Sequence, residues 1–202
     1  CGADGFRYDT AKHIGLPDDP KDSKATENNF WPRVISEVTN ADKIFNYGEV
    51  LQGDNERIDE YQKVIGATTA SAYGATIRSC INSGNLLASK MEDLQIDVDN
   101  PTAVTWVESH DNYCNDSSYK TVDDNEVIRA WAIICARKSG TPLFYDRPYG
   151  ATADNMWGTM NRIGAAGNPF YKDATVVAVN RFRNAMVGQD EKLLNPDDTK
   201  KV

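Results

Sequence analysis

The chain has 202 residues, 40% of them hydrophobic, enough for a sizeable core in one or two domains. Its net charge of −8, from 30 acidic against 22 basic side chains, gives no electrostatic support for binding phosphate backbones and suits a neutral substrate better. No apolar run approaches the roughly 18 residues that a membrane span needs, no basic-then-apolar leader precedes Cys1, and no low-complexity tract is evident.

The opening stretch, Cys1 to His13, reads as a strand in which Phe6 and Tyr8 point one way and Arg7 and Asp9 the other, so a carboxylate sits beside a guanidinium where the strand runs out. Leu16 to Asn28, rich in Pro, Asp, Lys and Ser, is expected to be a surface loop. Asn29 to Thr39 has Pro32 near its first turn and Phe30, Trp31, Val34, Ile35 and Val38 at helical spacing. A mostly apolar strand over Asp42 to Val50 carries Glu49 at its end. A short helix over Arg57 to Val64, a small-residue strand over Ala67 to Tyr73, a helix over Gly74 to Asn82 and a further helical turn or two over Leu86 to Leu94 follow.

Thr102 to His110 is the clearest strand, with Val104, Trp106 and Val107 in an extended apolar run and Asp111 at its tip. Thr121 with Asp124 three residues later resembles a capping box, opening a helix through Lys138 that stops at Gly140. Thr141 to Tyr145 is the last short strand, Asp146 to Asn168 a long Gly-rich loop, and Ala174 to Met186 an amphipathic helix. The domain reading is residues 1–187 as one unit and 188–202 as a polar tail. Cys1, Cys80, Cys114 and Cys135 have neither zinc spacing nor the density of a disulfide framework, and Cys135 reads as a buried small hydrophobe. Asn115-Asp116-Ser117 fits a glycosylation sequon, a pattern that often arises by chance.

Alternating strands and helices imply parallel strands joined by crossover helices, in an open doubly wound sheet or a closed barrel. Asp9, Glu49 and Asp111 each fall at the C-terminal end of a different strand, which is the active face of a (β/α)8 barrel. Five strands are too few for that barrel, and the chain starts without Met in what reads as a buried strand, so three strands are expected to precede Cys1 in a longer polypeptide. Glycoside cleavage fits the three acids better than metal binding. One ionised carboxylate attacks the anomeric carbon while a second carboxyl, about 5 Å away in retaining enzymes, protonates the leaving oxygen. Asp9 beside Arg7 suits the anion; Glu49, with no cation near it in sequence, suits the acid.

Gly5-Phe6-Arg7-Tyr8-Asp9-Thr10-Ala11-Lys12-His13, then Gly48-Glu49-Val50, then Val107-Glu108-Ser109-His110-Asp111-Asn112 resemble, in order, the signature regions on barrel strands four, five and seven of the α-amylase family of glycoside hydrolases. Gly140-Thr141-Pro142-Leu143-Phe144-Tyr145 is similar to its eighth-strand motif. The resemblance implies a (β/α)8 TIM barrel of which the chain covers strands four to eight, and retaining, endo-acting hydrolysis of α-1,4-glucans. It implies Asp9 as nucleophile, Glu49 as general acid/base, Asp111 as stabiliser of the transition state, Arg7 as the orienter of Asp9 and His110 as a ligand of sugar hydroxyls. Lys12 and His13 would line the leaving-group side, and the His13 carbonyl would offer one ligand to a structural calcium.

The resemblance further implies an extracellular or cell-surface enzyme whose partners are an α-glucan or maltooligosaccharide and the rest of the same enzyme. Ser109 stands where chloride-dependent members have Asn, so no chloride is expected. Asp146-Arg147 departs from the family's Tyr-Gly-x-Glu after strand eight. Two other readings stay open: a glucan-binding or assembly fragment without catalysis, and a transglycosylating member of the family. Trp31 and Trp131 lie within helices and are expected in the core, whereas Trp157, in the long loop, is equally open to stacking on a sugar.

Overall fold

A computed structural model describes residues 2–19, 28–38, 40, 42–51, 57–92, 94, 102–115, 118–158 and 162–195, with backbone only at 114–115 and 118–119. Cys1, the middle of the loop expected after Leu16, most of the sequon and the last residues of the tail lie outside the described residues. In chain order the elements are β1 (Gly5–Tyr8), α1 (Ala11–Ile14), α2 (Phe30–Ser36), β2 (Phe45–Gly48), α3 (Ile58–Ile65), β3 (Ala67–Thr69), α4 (Ser71–Ser83) and α5 (Ala88–Glu92). Then come β4 (Ala103–Thr105), α6 (His110–Tyr113), β5 (Cys114–Asn115), β6 (Ser118–Tyr119), α7 (Asp124–Ala136), β7 (Thr141–Pro142), a 3-10 turn (Pro169–Lys172) and α8 (Ala174–Ala185).

The protein is mixed α/β, with a sheet in the order β1-β2-β3-β4-β7 and a small antiparallel hairpin of β5 and β6. β1, β2, β3 and β4 pair in parallel, with Arg7 opposite Tyr47, Gly48 opposite Thr68 and Thr69 opposite Val104. The Leu143 amide donates to the Thr105 carbonyl at 2.8 Å, which brings the last strand to β4. Among the described residues, strand order follows chain order without a reversal.

The chain divides into two compact units. The first comprises Cys1–Ala72, Leu94–Val104 and Ser139–Thr141; the second comprises Tyr73–Asp93, Thr105–Lys138 and Pro142–Val202. In the first, Ala11, Leu16, Trp31, Val50, Tyr61 and Ile65 form a core against which Tyr8, Ile58 and Val64 pack. Trp31 is a core residue, as expected, edge-on to Tyr8 at 5.3 Å and to Phe30 at 5.0 Å. Gly48 is required by close approach, because a Cβ there would lie 2.8 Å from Ile65 Cδ1 and 3.0 Å from Ala11 Cβ. Buried threonines of β3 are satisfied locally: Gln62 Nε2 donates to Thr68 Oγ1 at 2.9 Å, and the Val50 amide donates to Thr69 Oγ1 at 3.1 Å.

In the second unit Trp131 is also core, edge-on to Phe144 at 5.0 Å, and its indole N–H donates to Asn180 Oδ1 at 2.9 Å. Arg137 is buried and ties three segments together. It donates to both Glu191 oxygens at 3.0 Å, to the Tyr73 hydroxyl at 3.2 Å and to the Met91 and Glu92 carbonyls. Asn195 Oδ1 accepts the Ala88 amide at 2.9 Å, so the start of the polar tail is fastened to this unit. Cys80 and Cys135 are buried free thiols, and burial pushes the Cys135 thiol up to about 12.

Several boundaries differ from the expectation. β3 stops at Thr69 and α4 begins at Ser71, because Thr68 and Thr69 turn their hydroxyls to buried partners while Tyr73, Ile77 and Ile81 bury a helical face. β4 ends at Thr105, well short of His110. The N-cap of α7 is Asp123, not Thr121, whose hydroxyl is drawn off to the Asn112 carbonyl at 3.0 Å.

Candidate active site

Of the opening stretch read as one strand, Gly5–Tyr8 is extended as the alternation requires, whereas Ala11–Ile14 turns into the helix α1. Phe6 and Tyr8 share a side, with ring centroids 6.4 Å apart, and Arg7 reaches forward to Asp9 one residue past the end of β1. Arg7 also reaches across to the neighbouring strand, where its Nη2 lies 3.3 Å from Glu49 Oε2. One guanidinium therefore gathers both acids, although no cation stands near Glu49 in sequence. Parallel pairing is the cause: Arg7 lies opposite Tyr47, and Glu49 is two residues on, so both side chains fall on one face at adjacent strand ends. Burial alone would pull the Arg7 guanidinium down, but its hydrogen bond to Asp9 and the charges of Glu49 and Asp9 hold it above its ordinary value.

The two acids differ in exposure. The Asp9 side chain is 64% exposed and that of Glu49 only 11%. Glu49 is stitched in place by its backbone, whose amide donates to the Tyr8 carbonyl at 2.8 Å and whose carbonyl accepts the Ala11 amide at 3.0 Å. Thr10 completes the cradle: it sits in the left-handed region (φ 44, ψ 38) and turns its amide onto Glu49 Oε2 at 3.0 Å. For a β-branched residue that conformation costs on the order of 1–2 kcal/mol, and strain of this kind persists only where the surroundings over-determine it.

Tyr47 is a residue the sequence reading passed over. It is half-buried beside Arg7 and Glu49, and burial, opposed by Arg7 and reinforced by Glu49, lifts its phenol above the ordinary value. A period of two along this strand places Tyr47 on the same face as Glu49, so the signal was present.

Lys12 and His13 follow on α1. Lys12 is half-buried and its carbonyl accepts the Tyr61 hydroxyl at 3.2 Å, while His13 is exposed. The calcium expectation places the His13 carbonyl as one of the about six to eight oxygens that such an ion takes. The next carboxylates in the chain are already engaged: Asp18 and Asp19 bind Arg57 at 2.8 and 2.7 Å. Among the described residues no group of three or more His, Cys, Asp or Glu side chains converges as a metal site. The described residues therefore do not by themselves make up a calcium shell.

His110 and Asp111 belong to the second unit. They open the helical turn α6, rather than ending a strand, and His110 Nε2 lies 3.3 Å from Asp111 Oδ1 with both side chains exposed. Ser109 and Asn112 set the turn: the Ser109 amide donates to Asn112 Oδ1 at 2.8 Å and the Asp111 amide to Ser109 Oγ at 3.2 Å.

Beneath this turn lies a clamp that no local pattern announces. Arg147 and Glu108, with side chains 3% and 2% exposed, meet through Nε to Oε2 at 2.9 Å and Nη2 to Oε1 at 2.6 Å. Arg147 also donates to the Val122 carbonyl at 2.6 Å and to Asp124, and its guanidinium stands 5.4 Å from the Tyr113 ring centre. Arg147 of the departure Asp146-Arg147 thus has a structural role, tying the segment after β7 to Glu108, two residues before His110.

The chain is 49% identical to an alpha-amylase of Butyrivibrio fibrisolvens over 219 aligned residues, covering 96% of this chain and 22% of that protein. By sequence this chain is similar to part of an α-amylase. It is also 38% identical to an alpha-amylase of Clostridium acetobutylicum, covering 96% of this chain and 23% of that protein. Identity to an alpha-amylase of Saccharomycopsis fibuligera is 26% over 93% of this chain. The chain thus spans less than a quarter of the length of the first two of these α-amylases. No protein-family model matches it.

Proposed function

We propose that this chain contributes strands four to eight of a (β/α)8 barrel in an enzyme that hydrolyses internal α-1,4-glucosidic bonds of starch-like glucans with retention of configuration. The observation that carries the reading is Arg7 gathering Asp9 and Glu49 at the ends of adjacent parallel strands. In the first step the exposed Asp9 carboxylate attacks the anomeric carbon while the Glu49 carboxyl, sheltered and held by its backbone, gives its proton to the departing oxygen. In the second, Glu49 takes a proton from water, the water oxygen bonds the anomeric carbon, and Asp9 is released. Asp111 stabilises the cationic sugar, His110 binds hydroxyls, and Lys12 and His13 line the leaving-group side. The same reading makes the enzyme extracellular or surface-bound, gives a calcium ion at the His13 carbonyl a purely structural part, and has residues 188–202 lead into a further domain.

The test is Asp9→Asn and Glu49→Gln in the polypeptide carrying this sequence with its natural flanks, assayed for reducing-sugar release from soluble starch. Each is expected to lose about 10²–10⁴-fold; near-normal turnover in either contradicts its assigned role.

A second reading, an assembly or glucan-binding segment without catalysis, is favoured by the surface of the first unit. β1 is the edge strand of the sheet, and Phe6, Phe30, Val34 and Ile44 line a groove of about 1080 Å³ beside it. Reducing-sugar release by the isolated 202-residue chain excludes this reading.

A further inference from the structure

The loop after β7 is not an open coil. The Thr152 and Asn155 backbones exchange hydrogen bonds at 2.9 and 3.1 Å, the Gly158 amide donates to the Asn155 carbonyl at 3.0 Å, and Gly158 takes a left-handed turn (φ 70) against the backbone of Tyr149. This closed turn holds Trp157 beside Tyr113, edge to face at 6.1 Å, with 40% of the tryptophan still exposed. Tyr149 is 58% exposed nearby. Both line a cleft of about 340 Å³ shared with Tyr145, Asp146, Gly167 and His110, a size within the range of about 300–1,000 Å³ typical of small-molecule sites.

Solvent-facing aromatic rings bordered by a carboxylate and an imidazole match the two sides of a pyranose, whose C–H face is apolar and whose rim is all hydroxyl. Ring stacking places the sugar, and Asp146 and His110 bond its edge. The cleft adjoins the turn that carries His110 and Asp111, so a chain of linked sugars can run from one to the other.

We propose that Trp157, Tyr149 and Asp146 form a subsite for one glucose unit of an α-glucan, on the loop after β7. This rests on the glucan-hydrolase reading above. Asp146 does not act on the reacting bond; it and the two rings choose where along the glucan the cut falls.

The experiment uses the polypeptide with its natural flanks, unmodified and as Trp157→Ala, Trp157→Phe and Tyr149→Ala, with maltotetraose to maltoheptaose as substrates. The alanine variants are expected to raise KM about three- to tenfold for the shorter oligosaccharides and to shift the product distribution by one glucose unit, with Trp157→Phe recovering most of the effect. Because Trp157 also packs on Tyr113, Tyr149→Ala gives the same readout at a side chain with little packing to lose. Unchanged KM and products in both alanine variants overturn the subsite. If the unmodified polypeptide cleaves no α-glucan, the hydrolase reading fails and tryptophan emission decides the subsite. A change with maltoheptaose that vanishes in Trp157→Phe upholds it as a glucan-binding site, and no change overturns it.

Discussion

Two arginine–carboxylate groups, one in each unit, use the same chemistry for opposite ends. Arg147 and Glu108 are sealed from solvent, bidentate and flanked by further acceptors, so every donor on that face of the guanidinium has a fixed partner. Arg7 joins two acids of which one is mostly exposed and the other sheltered. Removing one partner from the sealed pair strands a charge in a medium that cannot solvate it. Removing Asp9, the exposed partner of Arg7, costs little folding energy, because water replaces it. Burial of both partners, rather than pairing, separates the sealed cluster from the one that includes an exposed carboxylate.

Asp9→Asn and Glu108→Gln sharpen that contrast most, because the Asp9 side chain is exposed and that of Glu108 is sealed. The first is expected to lose about 10²–10⁴-fold in starch hydrolysis with little change in melting temperature. The second is expected to cost about 3–5 kcal/mol in unfolding free energy, read by denaturant titration. Equal melting temperatures for the two variants would break the comparison. Replacing both members of the sealed pair, as Glu108→Leu with Arg147→Met, is expected to recover most of the stability that either single change loses, giving a coupling of about 0.5–3 kcal/mol in a double-mutant cycle.

Arg7→Lys is expected to lower kcat by about tenfold, since a point charge cannot span Asp9 and Glu49 as a planar fork does. A smaller effect lies at the start of α8, where Asp173 Oδ1 accepts the Thr175 and Val176 amides at 2.8 and 3.3 Å. Asp173→Ala is expected to cost about 1 kcal/mol without touching activity. The smallest expected signal is at Cys135. Its thiol, raised from an ordinary 9.0 to about 12 by burial, stays protonated at pH 8, so iodoacetamide should leave it unlabelled in the folded protein and label it after unfolding, as read by peptide mass.

The strand over Phe45–Gly48, the helices over Ile58–Ile65 and Ala174–Ala185 and the placing of Arg7 and Asp9 together were legible because each rests on an apolar run or an alternation within one short stretch. Where the strand before Asp111 ends was not: Val104, Trp106 and Val107 read as one extended run, yet β4 gives way at Thr105 and the chain reaches His110 as a helical turn. Apolar side chains are buried in either conformation, so the pattern does not distinguish them. The cap of α7 misled for a related reason, since Thr121 has the hydroxyl for the task but a distant carbonyl, that of Asn112, takes it.

What the amino-acid order determined by itself is the alternation of strands and helices, the face that Asp9 shares with Arg7, and the resemblance carried by the stretches around Asp9, Glu49 and Asp111. Only the tertiary structure decided that Arg7 serves Glu49 as well as Asp9, that Thr10 bends into a left-handed turn to reach the same oxygen, and that Arg147 meets a carboxylate 39 residues away. The physical reason is the range of the forces. Backbone geometry and side-chain alternation act between near neighbours and are written locally, whereas the partner of a buried charge is whichever opposite charge the folded chain brings within hydrogen-bonding distance.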